Sequence, residues 1–159
     1  FAKMPLPKEE LFEIVSVLKK AADLYSGDPK IIVDRDFEVK KVNILGDRKL
    51  IGGIITNLII NGIQSVPEGR LPKITVRLRI DEVNVYIEIQ DNGDGIPEAI
   101  RSKIFFSNFS TKEGGTGLGL ALAKRGVEHA GGAIWFETEE GFGTTFYLSF
   151  PLTFRNQLA

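Results

Sequence analysis

The sequence contains no cysteine and a single histidine, His129. Without cysteine the chain can form neither a disulfide framework nor a thiolate metal site, and it has no cysteine nucleophile. One histidine cannot build a zinc site from several imidazole ligands. The absence of thiols fits a reducing compartment.

Long apolar runs and an excess of basic charge are also missing. No stretch of about 18 or more apolar residues is present, so the sequence predicts no membrane-spanning helix. The 20 basic and 21 acidic residues give a formal net charge of −1, which argues against nucleic acid as a partner. With 159 residues, 43% of them hydrophobic, the chain is long enough for one globular domain with a buried core.

The order of the predicted elements indicates a two-layer α/β sandwich with three main helices on one face of a mixed sheet. Helical spacing predicts a first helix over residues 7–25 and a nearly all-apolar second helix over 46–66, with Asp47 as its N-cap. The other predicted elements are strands at 30–34 and 37–44, a hairpin at 73–80 and 84–91, a short helix at 97–104, a mobile glycine-rich loop at 105–117, a helix at 118–132 and a hairpin at 133–139 and 144–150.

The second predicted helix carries two amides one turn apart in an apolar stretch. Asn57, Asn61 and Gln64 fall on one narrow stripe of this helix. A buried polar group without a partner costs roughly 2–7 kcal/mol, so protein groups, water or a ligand must satisfy these amides. Amide oxygens suit Mg²⁺, which takes one or two protein oxygens together with phosphates and water. The alternative is a core amide pair satisfied by the backbone.

A carboxylate ends the inward face of the strand predicted at 84–91. The apolar residues of this strand share the parity of Asp91, so they share its face. Gly93 and Gly95 follow in "NGDGIP", where they permit positive φ or close approach to a flat ligand. An adenine amine is one donor that Asp91 could accept from. The alternative is an aspartate that begins a turn.

A glycine-rich segment precedes the helix at 118–132. Gly115, Gly117 and Gly119 lead into the helix start, where free N–H groups and the helix dipole favour phosphate. Lys112 adds a positive charge just upstream. The spacing is neither that of a Walker A loop nor that of a Rossmann fingerprint, so the segment alone is a weak indication.

Taken together and in this order, these features resemble the ATP-binding catalytic domain of sensor histidine kinases, within the ATPase group shared with gyrase B, heat-shock chaperones and mismatch-repair ATPases. The N, G1, F and G2 boxes of that family are similar to "NLIINGIQS", "DNGDGIP", "IFFSNFSTK" and "GGTGLGLALAKRGVEHAGG". The resemblance covers roughly residues 40–151. It implies that residues 1–7 end a preceding dimerisation helix and that residues 8–159 form the catalytic domain.

The resemblance implies an Mg²⁺–ATP site. Asn61 would hold the metal, Asp91 would accept from the adenine amine, and Lys112 would reach the phosphates. By this resemblance Asn57, Asn61 and Lys112 are the catalytic residues. The residues expected to contact ATP are Asn57, Asn61, Asp91, Gly93, Gly95, Ile96, Thr111, Lys112, Gly115, Thr116, Gly117, Leu118, Gly119 and Thr144.

The implied activity is transfer of the ATP γ-phosphate to a histidine of a dimerisation domain outside this sequence. The implied partners are that domain, which would make the full-length protein a homodimer, and the receiver domain of a response regulator. The implied location is cytoplasmic, which the cytoplasmic part of a membrane-bound sensor would share. The sequence departs from the family pattern in two places, at Gln64 and at residues 106–108. His129 is expected to be structural.

Three alternatives use the same fold. An ATP hydrolase of the gyrase B, chaperone or mismatch-repair type would need a base, and in those families a glutamate lies four residues before the metal-binding asparagine. Asn57 occupies that position here, and this favours transfer over hydrolysis. A serine kinase of the anti-sigma type and a non-catalytic nucleotide switch are the other two.

Overall fold

A computed structural model of the protein describes residues 8–38, 41–106 and 119–153. Its helices are α1 (Ile14–Ala22), α2 (Arg48–Gln64) and α3 (Gly119–His129), with short 3-10 helices at Asp23–Tyr25 and Glu98–Lys103. Its strands are β1 (Glu10–Glu13), β2 (Ile32–Asp36), β3 (Asn43–Gly46), β4 (Lys73–Ile80), β5 (Asn84–Gln90), β6 (Ala133–Glu139) and β7 (Gly143–Pro151).

Five of the strands form one mixed sheet in the order β2-β4-β5-β7-β6. β2 runs parallel to β4, and the other neighbouring pairs are antiparallel. Alternate apolar residues of the strands are buried with the apolar faces of the helices in one core, which includes Ile74, Ile87 and Leu148. The expected two-layer α/β sandwich with a mixed sheet is confirmed.

The helix expected over residues 7–25 is wrong in its first part. Residues 10–13 form a strand that pairs antiparallel with β3, and the helix begins only at Ile14. The Glu13 carboxylate causes this start, because it accepts hydrogen bonds from the backbone N–H groups of Val15 (2.6 Å) and Ser16 (2.9 Å). Pro7 lies outside the described residues.

The two strands expected after α1 are displaced along the chain. β2 begins at Ile32 because it pairs in parallel with β4, with Ile32 opposite Lys73. In place of a long strand over 37–44, β3 covers four residues, matching the length of its partner β1.

The short helix expected at 97–104 is a 3-10 helix. The hairpins β4–β5 and β6–β7 agree with their predictions. Most of the loop expected at 105–117 lies outside the described residues. No helix in the described parts of the chain is both long and apolar enough to cross a bilayer.

Candidate functional site

Helix α2 presents the two amides at the margin of its buried face. The helix begins after Asp47, whose carboxylate accepts from the backbone N–H of Leu50 at 3.0 Å. That hydrogen bond is the main reason that the pKa of Asp47 is lowered. Asn57 and Asn61 are half-buried, whereas Gln64, the last residue of α2, is exposed. The stripe of amides predicted from the sequence therefore runs from two half-buried positions to an exposed position at the end of the helix.

Helix α3 begins against the first of these amides. A β-carbon at Gly119 would lie 3.2 Å from the Asn57 side-chain nitrogen. Farther along α3, a β-carbon at Gly126 would lie 2.9 Å from a terminal methyl of Ile54 and 3.2 Å from one of Leu50. The two helices therefore approach closely because Gly126 has no side chain. We refer to Asn57, Asn61 and Gly119 as the amide end of the site.

Asp91 follows β5 and has 7% of its surface exposed. Its Oδ1 atom accepts hydrogen bonds from the backbone N–H groups of Gly93 (2.9 Å) and Thr144 (3.1 Å). Burial raises the pKa of the Asp91 carboxyl above its ordinary value, and hydrogen bonds from Gly93, Thr144 and Ser65 oppose that shift. Both backbone N–H groups bind Oδ1, so these two hydrogen bonds orient the carboxylate from that oxygen.

The glycines after Asp91 are required by the packing of the protein itself. A β-carbon at Gly93 would overlap the Ser65 hydroxyl. Gly95 has φ of +78°, and a β-carbon there would lie 2.5 Å from the Glu139 carbonyl oxygen. The sequence indicated that these glycines permit positive φ or close approach to a flat ligand. The structure confirms the positive φ at Gly95, and it shows that both glycines let the loop lie close to the end of α2 and the β6–β7 turn.

Thr138 links this loop to Thr144. The Thr138 hydroxyl accepts from the Ile96 N–H at 2.8 Å and lies 2.8 Å from the Thr144 hydroxyl. It also donates to the Gly143 carbonyl at 3.2 Å. Sequence reasoning missed Thr138, although the predicted hairpin contains the signal, because its register places Thr138 opposite Thr144. We refer to Asp91, 93–96, Thr138, Gly143 and Thr144 as the carboxylate end.

Arg70 was also missed, and it holds the same loop from the other side. Its guanidinium donates to the carbonyl oxygens of Asn92 (2.7 Å) and Gly93 (3.3 Å). It also lies 3.8 Å from the Asp94 carboxylate. Nothing in the local sequence distinguishes this arginine from a solvated surface charge.

Helix α2 connects the two ends. Gly62 follows Asn61 directly, and a β-carbon at Gly62 would lie 3.2 Å from the β-carbon of Asp91. The structure thus brings Asn57, Asn61 and Gly119 together at one end, and Asp91, Gly93, Gly95, Ile96 and Thr144 at the other. Six further predicted site residues lie outside the described residues, namely Thr111, Lys112, Gly115, Thr116, Gly117 and Leu118.

The donor set suits one class of metal. The described part of the chain has no group of three or more His, Cys, Asp or Glu side chains that could hold a metal ion. Asn61 offers a single neutral amide oxygen. Such a site fits Mg²⁺, which keeps several waters and takes most of its remaining ligands from phosphates.

Comparison with known proteins is consistent with this geometry. Sporulation kinase A of Bacillus subtilis is 31% identical over 144 residues, covering 91% of this chain and 23% of that protein. The sensory histidine kinase/phosphatase NtrB of Vibrio alginolyticus is 30% identical over 155 residues, covering 91% of this chain and 44% of that protein. The chain therefore spans less than half the length of these relatives.

A solved structure gives a matching fold over nearly its whole length. The nucleotide-free catalytic domain of the histidine kinase ThkA superposes with a TM-score of 0.80 at 27% identity, covering 92% of this chain and 99% of that one. Residues 46–154 match the family described as histidine kinase-, DNA gyrase B-, and HSP90-like ATPase. The chain belongs to this ATPase family, and within it the chain is similar to the catalytic domains of sensor histidine kinases.

Proposed function

We propose that this chain binds Mg²⁺–ATP between its amide end and its carboxylate end, and transfers the γ-phosphate to a histidine of a dimerisation domain outside this sequence. The observation that carries the proposal is the position of α2. Asn61 on this helix is the candidate metal ligand, and the next residue, Gly62, packs against Asp91. One rigid helix therefore sets the spacing between the phosphate groups and the base.

At the carboxylate end, Asp91 would accept a hydrogen bond from the adenine amine. Oδ1 is occupied by two backbone N–H groups, so Oδ2 is the oxygen suited to the ligand. Gly93, Gly95, Ile96 and Thr144 would surround the base. Their positions are fixed by hydrogen bonds and glycine contacts, and a preformed pocket of this kind lowers the ordering cost of binding.

At the amide end, Asn61 would hold Mg²⁺ through its side-chain oxygen, with Asn57 beside it. When bound, the metal would neutralise part of the negative charge on the phosphates during transfer. The N-terminus of α3 at Gly119 supplies N–H groups and the positive end of the helix dipole. Further phosphate contacts are proposed for Thr111, Lys112, Gly115, Thr116, Gly117 and Leu118.

Position 57 favours transfer to a protein over hydrolysis. Hydrolysis needs a base to take a proton from the attacking water, and a neutral amide at Asn57 cannot serve. A neutral imidazole needs no such help, because its ring nitrogen attacks with its own lone pair. The N–P bond forms as the bond between the γ-phosphorus and the bridging oxygen breaks, and ADP leaves.

The proposal places this chain in a larger, two-component signalling protein. Residues 1–7 would end the helix that precedes the catalytic domain, and residues 8–159 would form that domain. The histidine-bearing helices would make the full-length protein a homodimer, and the phosphate would pass to a receiver domain of a response regulator. A cytoplasmic location follows from the need for ATP.

Labelled ATP tests the proposal. The chain is incubated with it alone and with the histidine-bearing segment of the full-length protein, and free phosphate and protein-bound label are followed. We expect slow phosphate release by the chain alone and acid-labile label on the added segment. A His129→Gln variant is the control, because His129 is an exposed residue at the end of α3 and should not affect transfer.

Each alternative function has its own outcome in this experiment. Fast phosphate release by the chain alone would identify a hydrolase. Acid-stable label on a serine of an added protein would identify a serine kinase. ATP binding without turnover in the presence of the segment would identify a nucleotide switch.

A further inference from the structure

We propose that Thr138 is a positioning residue that fixes the Thr144 hydroxyl as a hydrogen-bond acceptor toward the base, and so sets the preference for adenine over guanine. This inference rests on the proposed function, since it concerns the nucleotide selectivity of the same site. It assigns a role to a residue that the sequence motifs do not include.

The geometry around the Thr138 hydroxyl is the starting point. Three polar atoms lie within hydrogen-bond distance: the Ile96 nitrogen at 2.8 Å, the Thr144 hydroxyl at 2.8 Å and the Gly143 carbonyl oxygen at 3.2 Å. A hydroxyl has one proton to donate and two lone pairs to accept with. The three neighbours therefore match its full capacity.

Counting protons leaves one arrangement in which all three contacts are hydrogen bonds. The Ile96 N–H can only donate, so it occupies one lone pair of Thr138. The Gly143 carbonyl can only accept, so it takes the Thr138 proton. The remaining contact then requires the Thr144 hydroxyl to donate to Thr138. If Thr138 donated to Thr144 instead, the Gly143 carbonyl would lose this bond, at a cost of about 1 kcal/mol.

This arrangement determines what Thr144 offers a ligand. Its single proton is engaged by Thr138, so its oxygen presents only lone pairs. Thr144 is 5% exposed, and its backbone N–H binds the Asp91 carboxylate, so the two acceptors belong to one part of the site. An amino group on a purine carries two donors, one for each acceptor. An oxo group in the same place would face two acceptors without a donor.

The Thr138 hydroxyl also fixes the loop beside the base. Its bond to the Ile96 N–H joins the loop at 93–96 to β6, and the Arg101 side chain binds the Ile96 carbonyl at 2.9 Å. Removal of the Thr138 hydroxyl should release the Ile96 amide while leaving the carbonyl bound. Hydrogen exchange at this amide therefore reports the positioning role without any nucleotide.

The test compares Thr138→Val, which removes the hydroxyl at nearly constant volume, with Thr138→Ser, which keeps it. Thr145→Val is the matched control. Thr145 follows Thr144 on β7, and no side-chain hydrogen bond joins it to another described residue. Affinities for Mg²⁺–ATP and Mg²⁺–GTP are measured by titration calorimetry. We expect Thr138→Val to weaken ATP binding about three- to ten-fold with GTP binding unchanged or tighter. Thr138→Ser and Thr145→Val should keep the wild-type ratio.

Two results would overturn the inference. One is an equal loss of ATP and GTP affinity in a folded Thr138→Val variant, which would make the hydroxyl structural only. The other is no change in affinity for either nucleotide in that variant, whether or not exchange at the Ile96 amide becomes faster. Failure of the proposed function looks different, because the wild-type chain would then bind no ATP, while Thr138→Val would still accelerate exchange of the Ile96 amide.

Discussion

The two ends of the site are built by different forces. At the carboxylate end, directional hydrogen bonds and glycines with positive φ fix Asp91 and the loop after it. At the amide end, side-chain packing between α2 and α3 sets the position of the polar groups, with Gly126 against Ile54. A bound base would therefore meet a rigid, preformed set of acceptors, whereas the phosphates would meet groups placed by helix packing.

This difference predicts that the two ends of the site respond differently to substitution. Hydrogen bonds depend on angle and distance, so the carboxylate end should respond sharply to small backbone changes. Packed helices tolerate changes of one methyl better, since the ends of flexible side chains can shift. Substitutions at matched glycines can therefore distinguish the two ends.

The largest effect is expected at Gly143 in the carboxylate end. Its φ is +133°, and a β-carbon there would overlap the Asp91 carbonyl oxygen. Gly143→Ala should lower the free energy of unfolding by about 2–4 kcal/mol, measured by urea denaturation. Gly141→Ala is the matched control, because Gly141, in the turn just before β7, has φ of +85° but open space around its β-carbon position. The control should cost about 1 kcal/mol, and equal losses in the two variants would contradict the packing argument.

The next effect is expected at Gly126 in the amide end. Gly126→Leu should push α3 away from α2 and destabilise the fold by about 1–3 kcal/mol. It should also weaken ATP binding more than adenosine binding, because the phosphate contacts move and the carboxylate end does not. Gly126→Ala is the control and should be near neutral, since Ile54 and Leu50 meet the new methyl with flexible ends and alanine favours a helix. Equal losses of ATP and adenosine affinity in Gly126→Leu would show that the two ends are not separable.

Asn61→Ala tests the amide end by itself. If Asn61 holds the metal as proposed, its loss should weaken Mg²⁺–ATP binding by about 1–2 kcal/mol and change binding of metal-free ATP much less. Calorimetry with Mg²⁺ or with a chelator gives both values. If both forms of the nucleotide lose the same affinity, Asn61 is a structural amide.

The smallest effect is a pH dependence at the carboxylate end. Because the pKa of Asp91 is raised by burial, the folded state holds this proton more tightly than the unfolded state. Its contribution to stability is fully present below the ordinary value of 3.8 and is lost as pH rises through the raised folded pKa. Asp91→Asn lacks this titration, so its free energy of unfolding should improve relative to wild type as pH rises from about 4 toward neutrality. A constant difference between the two proteins across that range would contradict the shift. Alanine is less suited to this test, because it would leave the Gly93 and Thr144 N–H groups without their carboxylate partner.

Much of the fold was predictable because local signals agreed with tertiary packing. Strand alternation placed Asp91 on the buried face, and Asp47 marked the start of α2. The first helix was mispredicted because residues 10–13 have helical spacing, yet pairing with β3 and the Glu13 cap outweigh it. Local sequence cannot reveal such competition between elements.

The residues of the candidate site were predictable where they lie within the sequence motifs of the family. Asp91, Gly93, Gly95, Ile96 and Thr144 were proposed from strand parity and family resemblance, but the residues that hold them in place were not. The register of the β6–β7 hairpin brings Thr138 opposite Thr144. Arg70 lies in a bend after α2 and binds the loop that follows β5. Both roles depend on contacts between distant residues, which no single segment displays.

A crystal structure of this chain with Mg²⁺ and a non-hydrolysable ATP analogue would test the proposed site most directly. We expect the adenine amine within hydrogen-bond distance of Asp91 Oδ2, the metal on the Asn61 side-chain oxygen, and the phosphates at the start of α3. A nucleotide bound elsewhere, or with its base at the amide end and its phosphates at Asp91, would contradict it.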